Sequence, residues 1–163
     1  DEDRKKRSEP SIKRSGLYLI QEEDGQRGVQ LFQELVEEGY SGLIFTRKHP
    51  DHFKKIQGLE DIPIAWFSST PVKDITCISP LNIQKMLIMV QSSMSQSDKT
   101  VALVYGFEYI LTNINFDRAL NLLQVINDKI MTSDDSVVIF SMDLDILGDR
   151  DRKLISREFE KIE

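Results

Sequence analysis

The chain has 163 residues, of which 40% are apolar and 29% charged, a composition that fits one globular domain with a single core. No apolar run approaches the ~20 residues of a membrane helix, and the lone Cys77 excludes a disulfide framework and points to a reducing, cytoplasmic setting. Residues 1–14 hold six basic and four acidic groups, so a total charge of −6 leaves −8 on residues 15–163; such an acidic body repels phosphate backbones and excludes nucleic acid as the main partner.

Residues 1–14 have no apolar period and contain Pro10, and read as a flexible charged linker. Arg4-Lys5-Lys6-Arg7 suits contact with an acidic surface or anionic lipid. The opening reads as a piece of a longer polypeptide, since it lacks a starting Met. A single α/β domain is expected over residues 15–163. Gly16–Ile20 is its first strand. A helix follows over about 28–38, with Val29, Phe32, Leu35 and Val36 on one face and Gly39 past its end. Gly42–Thr46 is the second strand. Pro50 opens a short helix through Lys55. Ile62–Phe67 is the third strand, with Pro63 at its entry and Trp66 expected in the core.

Ser79-Pro80 is a helix start, a hydroxyl cap followed by Pro at the first helical position. Ile83, Met86, Leu87, Val90 and Met94 then form a helical stripe. Thr100–Tyr105 is the fourth strand. A helix over about 115–131 turns Phe116, Ala119, Leu120, Leu123, Ile126 and Ile130 inward. Val137–Phe140 is the fifth strand, and a last helix over about 149–161 buries Leu154, Ile155 and Phe159. Several strands are unbroken apolar runs, the mark of strands covered on both faces. The expected fold is therefore a three-layer α/β domain around a five-stranded, mostly parallel sheet.

In such a sheet function gathers at the carboxyl ends of the strands. The loop after the first strand, Gln21–Gly28, has the Gly25 and Gly28 of a phosphate loop. It lacks the Lys that neutralises phosphate and the hydroxyl that holds Mg²⁺. Glu22, Glu23 and Asp24 repel a triphosphate, and Arg27 is the one compensating cation. A phosphorelay receiver fails too, because the third strand ends in Ser68-Ser69 and no Lys follows the fifth. A divalent-cation site is a third reading. If the first strand lies between the fourth and fifth, Glu22 or Glu23, Glu108, and Asp143 or Asp145 face one crevice with hard oxygen ligands; the alternative is separately solvated loop acids. Arg27, Arg47 and Glu108 are the candidate ligand-binding residues. His49 and His52 lack a third metal ligand, and no nucleophilic triad or elbow is present.

Several patterns in order resemble an archaeal domain family of unknown function, often fused to sensory or membrane modules. They are Gly16–Ile20, Gly42–Arg47 with Pro50, Trp66, Ile78-Ser79-Pro80, Tyr105–Leu111, Phe116 and Asp128, and the resemblance covers residues 15–163. Members of that family usually show Asp-Gly where this chain has Tyr105-Gly106, a departure that counts against a metal at this position. More distantly, the order of elements resembles a degenerate domain of the KaiC and RecA branch of ATPases. That resemblance implies sheet order 5-1-4-3-2, with relics of both nucleotide motifs and none of their chemistry. The expected function is a non-catalytic regulatory or interaction module of a signalling protein. It would use no cofactor, bind a protein partner or a second copy of itself, and sit near a membrane through a longer chain. The alternative is a nucleotide or divalent-metal sensor without turnover.

Overall fold

The computed structural model describes residues 15–133 and 135–161. The linker expected for residues 1–14 lies outside them. The elements in chain order are β1 (Gly16–Gln21), α1 (Gln26–Glu37), β2 (Ser41–Thr46), α2 (Asp51–Lys54), β3 (Ile64–Phe67) and β4 (Thr76–Ile78). A 3₁₀ turn (Pro80–Asn82), α3 (Gln84–Gln96), β5 (Thr100–Tyr105), α4 (Glu108–Asn113) and α5 (Phe116–Met131) follow. β6 (Ser136–Met142), a second 3₁₀ turn (Leu144–Ile146), α6 (Asp149–Ser156) and β7 (Glu160–Lys161) complete the chain order.

The strands form one sheet in the order β4-β3-β2-β5-β6-β1-β7, and every pairing is parallel. The α/β class and the covered parallel sheet are as the apolar runs imply. The order 5-1-4-3-2 is not what forms. Numbered as the five expected strands, the observed order is 3-2-4-5-1. Burial supplies the physical reason. All seven residues of β6 are buried, a strand sealed on both faces, so it belongs between β5 and β1 and not at an edge. β2 is likewise interior, whereas β3, with Pro63 at its entry and Ile64 and Trp66 half-buried, lies one strand from the edge.

The two edge strands were not expected from the sequence. β4 is three residues long and carries no apolar run. β7 lies within the span assigned to the last helix, which ends at Ser156. The α1 stripe is also displaced. Leu31, Phe32 and Leu35 are its buried positions, and Val29 and Val36 are half-buried at its margin.

Two cores lie on the two faces of the sheet. α1 and α2 bury Leu31, Phe32, Leu35 and Phe53 against Tyr18, Ile20, Ile44, Val101, Leu103, Val137 and Ile139. On the other face Met86 and Val90 of α3, Ile110 of α4, Ala119, Leu123 and Ile126 of α5, and Ile155 of α6 cover Leu17, Phe45, Ala102, Val104 and Phe140. Right-handed crossovers account for the division, since connections running toward β4 and those running toward β7 must cross opposite faces. Two neighbouring pairs of strands therefore send their chains to opposite faces. They are β1 with β6, and β2 with β5. Each pair opens a crevice at its carboxyl ends, the usual place for a ligand in an open α/β sheet.

Candidate functional site

The β1/β6 crevice is closed by the chain itself. Glu22 follows β1 directly, and its backbone N–H donates to Met142 O at 3.2 Å, extending the pairing with β6. Its carboxylate turns to the start of α1. Oε1 accepts from Arg27 N at 3.0 Å, and Oε2 accepts from Gly28 N at 2.9 Å. The Ser141 hydroxyl at the end of β6 donates to Oε2 at 2.6 Å. These are the N–H groups that a phosphate takes at a helix N-terminus. Here an internal carboxylate satisfies them.

The loop glycines serve the same closure. Gly25 has φ 75°, a left-handed conformation, and a Cβ there would stand 2.1 Å from Tyr105 Cε2. A Cβ at Gly28 would stand 2.9 Å from Ser141 Cβ. The Tyr105 hydroxyl reaches the Glu23 carbonyl at 3.4 Å. The residue that replaces the expected strand-end carboxylate thus lies over the loop as a lid. The glycine spacing makes room for Tyr105 and Ser141.

Gln21 closes the far side. Its Nε2 donates to Asp143 Oδ1 at 2.6 Å and its Oε1 accepts from Leu144 N at 3.0 Å. Asp143 Oδ1 also accepts from Asp145 N at 2.9 Å, so it caps the turn after β6. Glu108, at the start of α4, accepts from Asp143 N through Oε2 at 3.2 Å. Its other oxygen, Oε1, is buried with no partner among the described residues. Burial is the first cause that pushes the Glu108 carboxyl above the usual range, and the nearby Asp143 carboxylate adds to it; hydrogen bonds from its own backbone N–H and that of Asp143 oppose the shift.

The structure does not gather the acids of the cation-site reading. Glu22 is spent on α1 and Ser141, Glu23 is exposed, and Asp145 faces Arg152 at 3.6 Å. Only Glu108 and Asp143 meet, through a backbone N–H. No group of three metal-ligating side chains occurs among the described residues. β6 lies where that reading required β1. Arg27 contributes its amide to Glu22, and its side chain is exposed.

The β2/β5 crevice is open and basic. Arg47 leaves β2 with its backbone N–H on Tyr105 O at 2.9 Å. Its Nη1 donates to the Phe67 carbonyl at 2.7 Å. The guanidinium carbon lies 4.1 Å from the centre of the Tyr109 ring and 5.9 Å from that of Trp66, within cation–π reach of both. The Trp66 indole N–H donates to Arg47 O at 2.8 Å, and His49 packs on the indole at 5.2 Å between centroids. Lys48 lies 5.4 Å above the Tyr105 ring. The Ser69 and Tyr109 hydroxyls pair at 2.9 Å.

Gly106, with φ 82°, permits this arrangement, since a Cβ there would stand 2.6 Å from Arg47 Cβ. His52, on α2, is held below its ordinary pKa by burial first, and then by the Lys48 and Lys55 charges. Trp66 is therefore not the core residue expected. It is half-buried, with its polar edge tied to the shelf formed by Arg47, Lys48 and His49. Sequence reading named Arg47 as a ligand-binding candidate, but it placed Ser69 only at a strand end and Tyr109 only within the family pattern, and joined neither to Arg47.

The fold and its carboxyl-end crevices define a three-layer, all-parallel α/β domain. Residues 21–159 match the family described as "Protein of unknown function (DUF835)", and the chain belongs to that family. No curated protein matches the chain. No helix among the described residues is long and apolar enough to cross a membrane.

Proposed function

We propose that this domain is a non-catalytic interaction module of a cytoplasmic signalling protein, and that it docks an acidic segment of a protein partner on the Arg47 shelf. The observation that carries the reading is the contrast at the sheet edge. The crevice that would hold a phosphate is filled by Glu22 and covered by Tyr105. The neighbouring crevice holds a stacked Arg, two further aromatic rings and exposed cations. Residues 47–55 contain Arg47, Lys48, Lys54 and Lys55 against Asp51 alone, in a body that is otherwise acidic. Carboxylates of a partner would pair with the free edge of the Arg47 guanidinium, with Tyr109 and Trp66 holding its plane.

Calorimetric titration with a short Asp/Glu-rich peptide tests this. Saturable binding is expected, weakening with salt and falling about tenfold in Arg47→Ala, the worth of one charge-assisted contact. Micromolar binding of ATP with Mg²⁺, or duplex DNA binding tighter than the peptide, would overturn it.

A further inference from the structure

A second cavity lies beside the shelf, along the edge strand β4 and the loop that joins β3 to it. It has a volume of about 350 Å³, within the range of small-ligand sites. Pro71, Val72 and Ile75 form an apolar wall. Ser69 of the loop after β3, Thr76 of β4, Asn82 of the first 3₁₀ turn and Lys85 of α3 add polar groups to the lining. Its charge is unusual for this chain. The lining holds one cation, Lys85, and no carboxylate, although the sequence has 27 acidic residues.

The hydrogen-bonding groups of the lining divide into spent and unspent. Ser68 exchanges bonds with Thr70, and Ser79 caps Leu81 N at 3.2 Å. The Thr76 hydroxyl and the Asn82 amide have no side-chain partner among the described residues. Lys85 Nζ donates to Cys77 O at 3.2 Å, which fixes the ammonium at the groove and leaves two of its three N–H donors unspent. A fixed cation, unspent donors and an apolar wall in one groove are what a small organic anion requires.

We infer that this groove binds a small organic anion of a few carbons, with its phosphate or carboxylate head on Lys85 and Asn82 and its carbon skeleton against Val72 and Ile75. The site is separate from the peptide shelf, and the two share only Ser69, whose hydroxyl meets Tyr109.

Amide chemical shifts of the whole chain, titrated with inorganic phosphate, glycerol 3-phosphate and glycerate, test it. Saturable shifts at Thr76, Cys77, Asn82 and Lys85 are expected with glycerol 3-phosphate or glycerate. The organic anion should saturate before phosphate alone, because only it uses the apolar wall. Whether the phosphate ester or the carboxylate binds more tightly fixes the head, and either supports the site. Lys85→Met should weaken binding by about tenfold or more, and Arg47→Ala should leave it unchanged. Asn82→Ala serves as the second variant should Lys85→Met lose its native spectrum, with a smaller loss in affinity. The absence of saturable shifts at millimolar ligand, shifts centred on residues 47–55 and abolished by Arg47→Ala, or affinity unchanged in both groove variants would each overturn the inference.

Discussion

The two crevices at the carboxyl edge are built from similar parts and end differently. Each is formed by neighbouring strands whose chains leave to opposite faces, and each has a glycine in a left-handed conformation beside an aromatic residue. At β1/β6 the parts turn inward. Glu22, Ser141 and the amides of α1 satisfy one another, and Tyr105 covers them. At β2/β5 they turn outward, because Gly106 lets Arg47 rise beside β5 and lie on Tyr109. The same topological opportunity is used once as structure and once as surface. A crevice in an α/β sheet is therefore a site only where its polar groups remain unspent.

The largest expected effect breaks the closed side. Glu22→Ala removes three hydrogen bonds to one carboxylate and leaves the Arg27 and Gly28 amides and the Ser141 hydroxyl without it. A charge-assisted hydrogen bond is worth ~1.5–3 kcal/mol, and the three share one group, so a loss of about 2–4 kcal/mol is expected in denaturant unfolding. Glu22→Gln, which keeps one acceptor, should lose roughly half as much. Sulfate should restore melting temperature to Glu22→Ala more than to the native chain, since it offers an anion to the vacated amides. Equal effects of sulfate on both proteins would remove the comparison with a phosphate seat.

Gly25→Ala is next. The left-handed backbone costs ~1–2 kcal/mol with a Cβ, and the Cβ would overlap the Tyr105 ring. A total near 3 kcal/mol is expected. Adding Tyr105→Ala relieves the overlap and leaves the backbone cost. The double mutant should therefore be less destabilised than the sum of the two single variants. Strict additivity in that cycle would show that Tyr105 does not sit on the loop.

The open side responds through charge. Burial and then Lys48 and Lys55 hold His52 below its ordinary pKa. Its neutral form is the favoured one, so its contribution to stability is present at neutral pH and is lost as pH falls from the unfolded value through the lowered folded one. An acidic peptide on the shelf offsets the lysine charges. The His52 titration, followed by ring-proton NMR, should therefore move upward on binding. Arg47→Ala should change stability by less than ~1 kcal/mol while weakening that response, as for an exposed charge. A titration indifferent to peptide would place docking elsewhere.

Much of the fold was legible because parallel strands leave unbroken apolar runs such as Val101–Val104 and Val137–Phe140. Strand order was not, because it depends on which runs pair, and local periodicity carries no such information. Thr76–Ile78 and Glu160–Lys161 are too short to leave any period. The missing Lys and hydroxyl of the first loop were readable, and so was its acidity. That Glu22 is the useful acid was not. Its partner Ser141 is 119 residues away and meets it only because β6 pairs with β1. Arg47 was visible as a cation at a strand end, but its platform comes from β3 and α4, which only the sheet brings together.

The smallest effect concerns Glu108, where the closed crevice is imperfect. Its Oε1 is buried without a partner among the described residues, and Oε2 accepts from Asp143 N. Burial raises its pKa first, with Asp143 adding to the shift. For an acid raised in this direction the sign is the reverse of an ion-paired carboxylate. The protonated form is favoured in the fold, so the contribution is fully present below the unfolded value of about 4.5 and is lost as pH rises through the raised folded value. At neutral pH the ionised group is a standing cost to stability. Glu108→Gln keeps an acceptor for Asp143 N and carries no charge. It should be slightly more stable than the native chain at neutral pH, and the advantage should shrink as both are taken toward pH 4. Denaturant midpoints measured across that interval decide the point. A difference that does not change with pH would mean that Glu108 is solvated, and that the closed crevice admits water where the structure shows none of its carboxylate exposed at Oε1.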